Sequence, residues 1–310
     1  MKSDTHQHLR ANLLMLIAAI IWGSAFVAQR LSLDSIGPFL FTGLRFLLGA
    51  LVVLTMIVCV RRAALGELSN LEPGGVRELV GAGVMLGLVL SVSISLQQIG
   101  LQYTKIANAG FISSLYVVIV PLLGVLFRHR TGIGTWLGAT LAAIGMYFLS
   151  VNEHFSMLYG DWYQLAGALA ISVQMMLVGR FALRHDTLML ALIQFVTCGM
   201  VCLLIGLVIE PVSLSVLKRA APTILYGGAL SVGVAYTIQV VAQKHAAPSH
   251  AAVIFSMEGV FAALAGWLVL GETLTARALC GCALMLAGLI VCQVMPAWQR
   301  GRARRPQASS

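Results

Sequence analysis

The chain has 310 residues, of which 59% are apolar and only 10% charged, and its mean hydropathy is +0.92. Soluble domains carry about 25% charge, so a pair of ordinary soluble domains is excluded and the bilayer becomes the main solvent. The net charge of +9 does not indicate nucleic acid, because no soluble basic surface is present to carry it.

The first stretch without Lys, Arg, Asp or Glu covers residues 11–29. Gly23-Ser24-Ala25 offers a possible leader-cleavage site, but the apolar run continues past it, so the window is expected to remain as a span. Trp22 and Phe26 are candidates for an aromatic substrate wall, or for core packing. The second window, 36–60, is interrupted by Arg45. The third, 79–104, places Ser91, Ser95, Gln98 and Gln102 at spacings of four, three and four, hence on one helical face, with Gln97 beside them. The fourth, 106–127, carries Tyr116. The fifth, 131–152, has Gly134 and Gly138 four apart, as Gly83 and Gly87 are in the third, which suits close helix packing.

Windows six and seven cover 162–179 and 187–209, the latter with Thr187, Gln194 and Thr197. The eighth, 220–243, repeats the polar face of the third with Ser231, Gln239 and Gln243, and Tyr236 lies beside them. The ninth, 247–270, is interrupted by Glu258, and His250 precedes that residue by two turns. The tenth covers 278–299, and a basic tail expected to be disordered follows at 299–310. The six cysteines fall within or at the end of apolar stretches and read as packing residues, not as disulfides or a metal site.

Windows of this length must be helices, since lipid offers no partners for open backbone groups. With the N-terminus inside, the inner segments hold Lys2, Arg10, Arg61, Arg62, Arg77, Arg128, Arg130, Arg180, Arg184, Lys244 and the tail arginines. The outer segments hold only Arg30, Lys105, Lys218, Arg219 and Arg277. Cations are retained on the cytoplasmic side, so ten spans with both ends inside are expected.

An offset of 142 aligns Gln97 with Gln239, Ser114 with Ser256 and Gly124 with Gly266, and an offset of 143 aligns Gly138 with Gly281 and Gly145 with Gly288. The expected fold is therefore all-α and integral to the membrane, with ten transmembrane helices as two inverted five-helix repeats. Residues 1–154 form the first and 155–298 the second. An odd number of spans per unit inverts its second copy, and such pairs hold substrate between them near the midplane.

Ser256-Met257-Glu258-Gly259-Val260-Phe261, Gly271-Glu272-Thr273-Leu274, Ile21-Trp22-Gly23-Ser24 and Arg45 resemble EamA-type members of the drug/metabolite transporter superfamily. Gly259 stands where that family often has proline, and Arg130-Thr131 where it has a Gly-Glu pair. The resemblance implies a ten-helix carrier of the bacterial inner membrane, commonly an exporter of amino acids or related metabolites.

Polar side chains inside apolar helices must face protein or water. Trp22, Gln97, Gln98, Tyr116, Gln194, Tyr236 and Gln239 are the candidate substrate-binding residues, with interhelical bonding as the alternative. Arg45 and Glu258 lie roughly 13–17 Å into their helices, where an unpaired charge costs at least about 2.5 kcal/mol. Either they form a structural ion pair, or Arg45 caps buried carbonyls, or Glu258 exchanges protons as the cavity opens to each side in turn, with His250 as a possible relay.

The expected function is secondary export of a small polar or zwitterionic metabolite, with protons as an optional second substrate. Export of cationic drugs and a channel subunit are the alternatives. A sugar-phosphate antiporter is disfavoured because Arg45 is the only deep cation. No P-loop is present to couple ATP, and no H-E-x-x-H or G-x-S-x-G motif supports catalysis, so no catalytic residue, metal or cofactor is expected. The sequence does not specify an oligomeric state, and a monomer is compatible with it.

Overall fold

In a computed structural model, the structure describes residues 2–63, 73–104, 106–127, 132–150, 159–271 and 275–303. The first-half turn at Arg130-Thr131, the Glu272–Leu274 part of the second-half turn, the repeat boundary near 155, Lys105, Arg128 and the last tail residues lie outside them.

All regular structure among the described residues is helical. The first half runs α1 (Lys2–Ser32), α2 (Pro38–Ala63), α3 (Pro73–Tyr103), α4 (Ile106–Ser113), α5 (Tyr116–Leu126) and α6 (Ile133–Ser150). The second runs α7 (Tyr159–Phe181), α8 (Thr187–Ile209), α9 (Leu214–Leu225), a π-helical stretch (Tyr226–Tyr236), α10 (Thr237–Gln243), α11 (Pro248–Phe255), α12 (Glu258–Leu270) and α13 (Ala276–Ala303). Each of the ten apolar windows coincides with one helix or with helices that follow one another without a loop. Eight of these continuous units are long and apolar enough to cross a membrane, while Tyr116–Leu126 and Ile133–Phe148 are shorter apolar helices. The helix α13 continues to Ala303, so the start of the expected disordered tail is helical.

Continuous windows do not give uninterrupted helices. The fourth breaks at Ser114-Leu115 and the ninth at Ser256-Met257, two positions related by the 142-residue offset. Both breaks close with short-range hydrogen bonds, Val117 N to Ser114 O and Gly259 N to Ser256 O. Leu115 and Met257 have nearly the same backbone angles, φ −58°, ψ −12° and φ −60°, ψ −14°. Tightening the turn in this way leaves the chain helical in direction but rotates the face that follows. The π-helical stretch interrupts the eighth window, and its glycines pack without side chains against α2. A Cβ on Gly228 would stand 2.9 Å from the Arg45 carbonyl, and one on Gly233 2.9 Å from the Val52 side chain.

Several helix ends are capped by named groups. Asp186 accepts a hydrogen bond from the Met189 N–H at 2.8 Å, and Gly271, at φ +68°, closes α12 in the left-handed region. The Glu210 carboxylate reaches across to accept the N–H groups of Phe39 and Leu40, both at 2.8 Å, at the start of α2.

The helices α6 and α13 meet through glycine. A Cβ on Gly138 would stand 2.7 Å from the Gly288 carbonyl oxygen, and one on Gly145 2.5 Å from that of Gly281. Advancing along one helix means receding along the other, so the pair is antiparallel. The large buried core runs through Met15, Phe46, Leu86, Leu90, Phe195 and Phe255, and the outward faces are also apolar: Val208 is 84% and Leu126 75% exposed. A molecule greasy both inside and out is built for lipid.

Candidate substrate cavity

The helices α1, α2, α3, α5, α7, α10 and α12 and the π-helical stretch enclose a cavity of about 40 Å³. Seven of the nine residues expected at a site line it: Trp22, Arg45, Gln97, Tyr116, Tyr236, Gln239 and Glu258. Phe26, Gln29, Ile94, Ile171, Met175 and Ser231 complete the wall.

The break in each discontinuous window sets the geometry at its centre. Tyr116 opens α5 and Glu258 opens α12, the same position in the two halves at an offset of 142. The Tyr116 hydroxyl donates to Glu258 Oε1 at 2.8 Å, and the Ser114 hydroxyl lies 3.4 Å from the same oxygen. A buried carboxyl group thereby gains hydrogen-bond donors from the opposite half.

Arg45 does not supply the other half of an ion pair. No ion pair joins it to Glu258, and among the described residues nothing accepts a hydrogen bond from its guanidinium, whose Nε is buried without a partner. It stacks near two aromatic faces, 5.0 Å from the Phe41 ring centre and 5.5 Å from that of Phe46. In place of the expected structural Arg45–Glu258 pair stand two separate arrangements, the carboxylate bonded by Tyr116 and Ser114 and the guanidinium beside two phenyl rings.

An aromatic wall forms beside them. Trp22 lies 4.7 Å from Tyr236 and 5.0 Å from Phe255, ring centre to ring centre, and its indole N–H donates to the Ser231 carbonyl at 3.3 Å. Phe46 and Phe195 pack behind Tyr236.

Gln98 and Gln194 are not in the wall. Gln98 turns to the end of α1, 3.4 Å from the Ser32 hydroxyl and 3.5 Å from the Gln29 carbonyl. Gln194 ends a buried row in which the Gln239 amide donates to Gln174 Oε1 at 3.1 Å and the Gln174 amide lies 3.4 Å from Gln194 Oε1. Within the serine–glutamine face of α3, Ser91 bonds its own helix at the Leu88 carbonyl and Ser95 meets Cys202 of α8, so that face packs between helices while Gln97, one residue round, reaches the cavity. His250 sits between Asn12 and Cys292, outside the cavity wall.

Sequence reasoning passed over Gln29, Ser114 and Gln174. Gln174 carried a readable signal, an amide in the middle of an apolar window, whereas Ser114 gained its role only from the turn in which it sits. Behind Gln97, Gln164 donates to the Gln97 carbonyl and accepts from Ser113, both at 2.8 Å, while Thr104 bonds Asp161. That network braces α3, α4 and α7 against one another.

The sequence pattern of the EamA-like transporter family matches residues 9–151 and again 158–292. The chain belongs to the EamA-like transporter family. An uncharacterized transporter of Archaeoglobus fulgidus is 29% identical over 286 residues, 92% of this chain and 86% of that one. The uncharacterized transporter YoaV of Bacillus subtilis is 23% identical, with 88% of this chain and 92% of its own covered. A crystal structure of another protein superposes with a TM-score of 0.75 at 20% identity, over 94% of this chain and 98% of that one, which establishes the likeness of fold alone. This EamA-like chain is thus a multi-pass membrane transporter, of a family that transports and does not generally catalyse.

Proposed function

We propose that the protein is a secondary exporter of small polar or zwitterionic metabolites such as amino acids, working by alternating access in the bacterial inner membrane. Its two halves, 1–154 and 155–298, act as inverted five-helix repeats, with ten spans and both termini in the cytoplasm. The observation that carries this reading is a central cavity into which Arg45 and Glu258 both project with Gln97, Gln239 and Tyr236. A wall with both charge signs, amide groups and aromatic faces suits solutes that carry charge and apolar surface together.

Three features support the repeats. The discontinuities fall at equivalent points, Tyr116 meets Glu258 across the halves, and Gly138 opposes Gly288 while Gly145 opposes Gly281. Reciprocal contact of equivalent positions is what a two-fold relation produces. A site formed at the first turns of discontinuous helices is common in inverted-repeat carriers.

A cavity of about 40 Å³ holds a few waters and no metabolite. The helices around it must separate for substrate to enter, and alternating access supplies that motion. Glu258 is the group suited to exchange a proton in the process, since its carboxyl lies in the cavity and the donor that holds it comes from the opposite half.

Counterflow in proteoliposomes tests the reading. Purified protein is expected to exchange external radiolabelled amino acid against the same solute trapped inside, saturably. Flux that does not saturate, or that shows no acceleration by trapped solute, would point to a pore. A screen that also holds purines, polyamines and cationic drugs separates metabolite export from drug export.

A further inference from the structure

We infer that Arg45 is the docking point for a carboxylate on the transported solute. The inference rests on the carrier reading and narrows it, from polar solutes in general to those bearing one anionic group.

The cation is placed at depth and left without an anion. Arg45 is 2% exposed, lines the central cavity, and has no hydrogen-bond acceptor among the described residues. Burying a guanidinium at mid-membrane is costly even on the lenient insertion scale. The Phe41 and Phe46 rings offset part of that cost through cation–π attraction, but rings accept no hydrogen bonds and leave the planar fork of donors unused. The carboxylate best placed to use them, Glu258, takes its hydrogen bonds from Tyr116 and Ser114. Room beside the arginine is kept by glycine, since a Cβ on Gly227 would press to 3.3 Å from Arg45 Cδ.

The fork of a guanidinium matches the two oxygens of a carboxylate. A single positive charge balances a monoanion, whereas a phosphate dianion would remain half uncompensated among Trp22, Phe26 and Ile94. Docking a carboxylate would leave the rest of the solute against the Trp22–Tyr236 wall and within the same cavity as Glu258. A solute that also carries an ammonium group would find its partner there.

Acid and amide pairs of equal shape test the assignment. Purified full-length protein is titrated with L-leucine and L-leucinamide, L-phenylalanine and L-phenylalaninamide, and nicotinate and nicotinamide, and thermal stabilisation is read. At least one acid is expected to stabilise the wild type with at least 10-fold lower apparent Kd than its amide. Arg45→Lys keeps a point charge without the fork, and is expected to retain the acid preference with roughly 10-fold weaker binding. Arg45→Gln is expected to abolish the preference. Equal response to acid and amide, no response to any acid, or an acid preference that survives Arg45→Gln would each overturn the assignment. Should the glutamine variant fail to fold, an unweakened acid response in Arg45→Lys does the same. Counterflow of a neutral or cationic solute by the wild type, with no acid recognised, would sink the Arg45 assignment and leave the carrier reading standing. Absence of counterflow for every solute would instead remove the carrier reading.

Discussion

Glu258 is held by Tyr116 at 2.8 Å and by Ser114 at 3.4 Å, so its environment can be altered one donor at a time. In Glu258→Gln the amide oxygen still accepts from Tyr116, and the fold is expected to survive. If the carboxyl carries the coupling proton, proteoliposomes of this variant keep solute exchange but no longer accumulate solute under an imposed pH gradient. Undiminished pH-driven accumulation would end the proton hypothesis. Tyr116→Phe removes the shorter bond and is expected to cost about 1.5–3 kcal/mol if the acceptor is ionised, against about 0.6 for an ordinary intramembrane bond. Denaturation in mixed micelles distinguishes the two. At this scale the sequence marked Arg45 and Glu258 because a charge inside an apolar window is costly in lipid and must find a partner, water or a proton. It did not reveal that they stay apart, since pairing depends on which groups tertiary packing brings to the carboxylate.

One helix interface and one helix end depend on glycine. A Cβ at Gly288 would come within 2.7 Å of the Gly138 carbonyl, so Gly288→Val is expected to force α6 and α13 apart at roughly 1–3 kcal/mol. A lowered melting temperature checks it, with Ala143→Val at a partly buried position of the partner helix α6 as the comparison. Gly271→Ala places a Cβ in the left-handed region that ends α12 and is expected to cost about 1–2 kcal/mol without altering transport of the folded fraction. Element positions were legible, since every apolar window became helix. The breaks at Ser114-Leu115 and Ser256-Met257 were not, because neither carries proline or glycine to announce it. Nor was the facing of α3 correct in full: Gln98 lies in the serine row, yet Gln97 is the one that reaches the cavity, because α8 and the end of α1 occupy the serine row.

For the whole molecule, the cation distribution predicts which ends face the cytoplasm. Single cysteines at Arg184 and Lys244, introduced in place of the native residues in a cysteine-free background, are expected to react with an impermeant maleimide only from the inner side. One at Val212, in the loop between α8 and α9, is expected to react only from the outer side. Labelling of all three from one side would invalidate ten spans with both ends inside. Arg180, Arg184, Lys244 and His245 also line a wider cleft of about 530 Å³, next to Gly179 and Pro248.

Membrane residence, helical structure and family were set by composition and local pattern, because a bilayer forces any long uncharged segment to satisfy its backbone within itself. The polar side chains that must avoid lipid could likewise be named from the chain. Which of them share a cavity was decided only by tertiary packing. Helix rotation about its own axis, and the two turns that reset it, are fixed by contacts between segments far apart in the chain, 66 residues for Gln98 with Ser32 and 142 for Tyr116 with Glu258. The same amide can therefore brace an interface, as Gln98 does, or face the cavity, as Gln97 does, with nearly identical surroundings in the sequence.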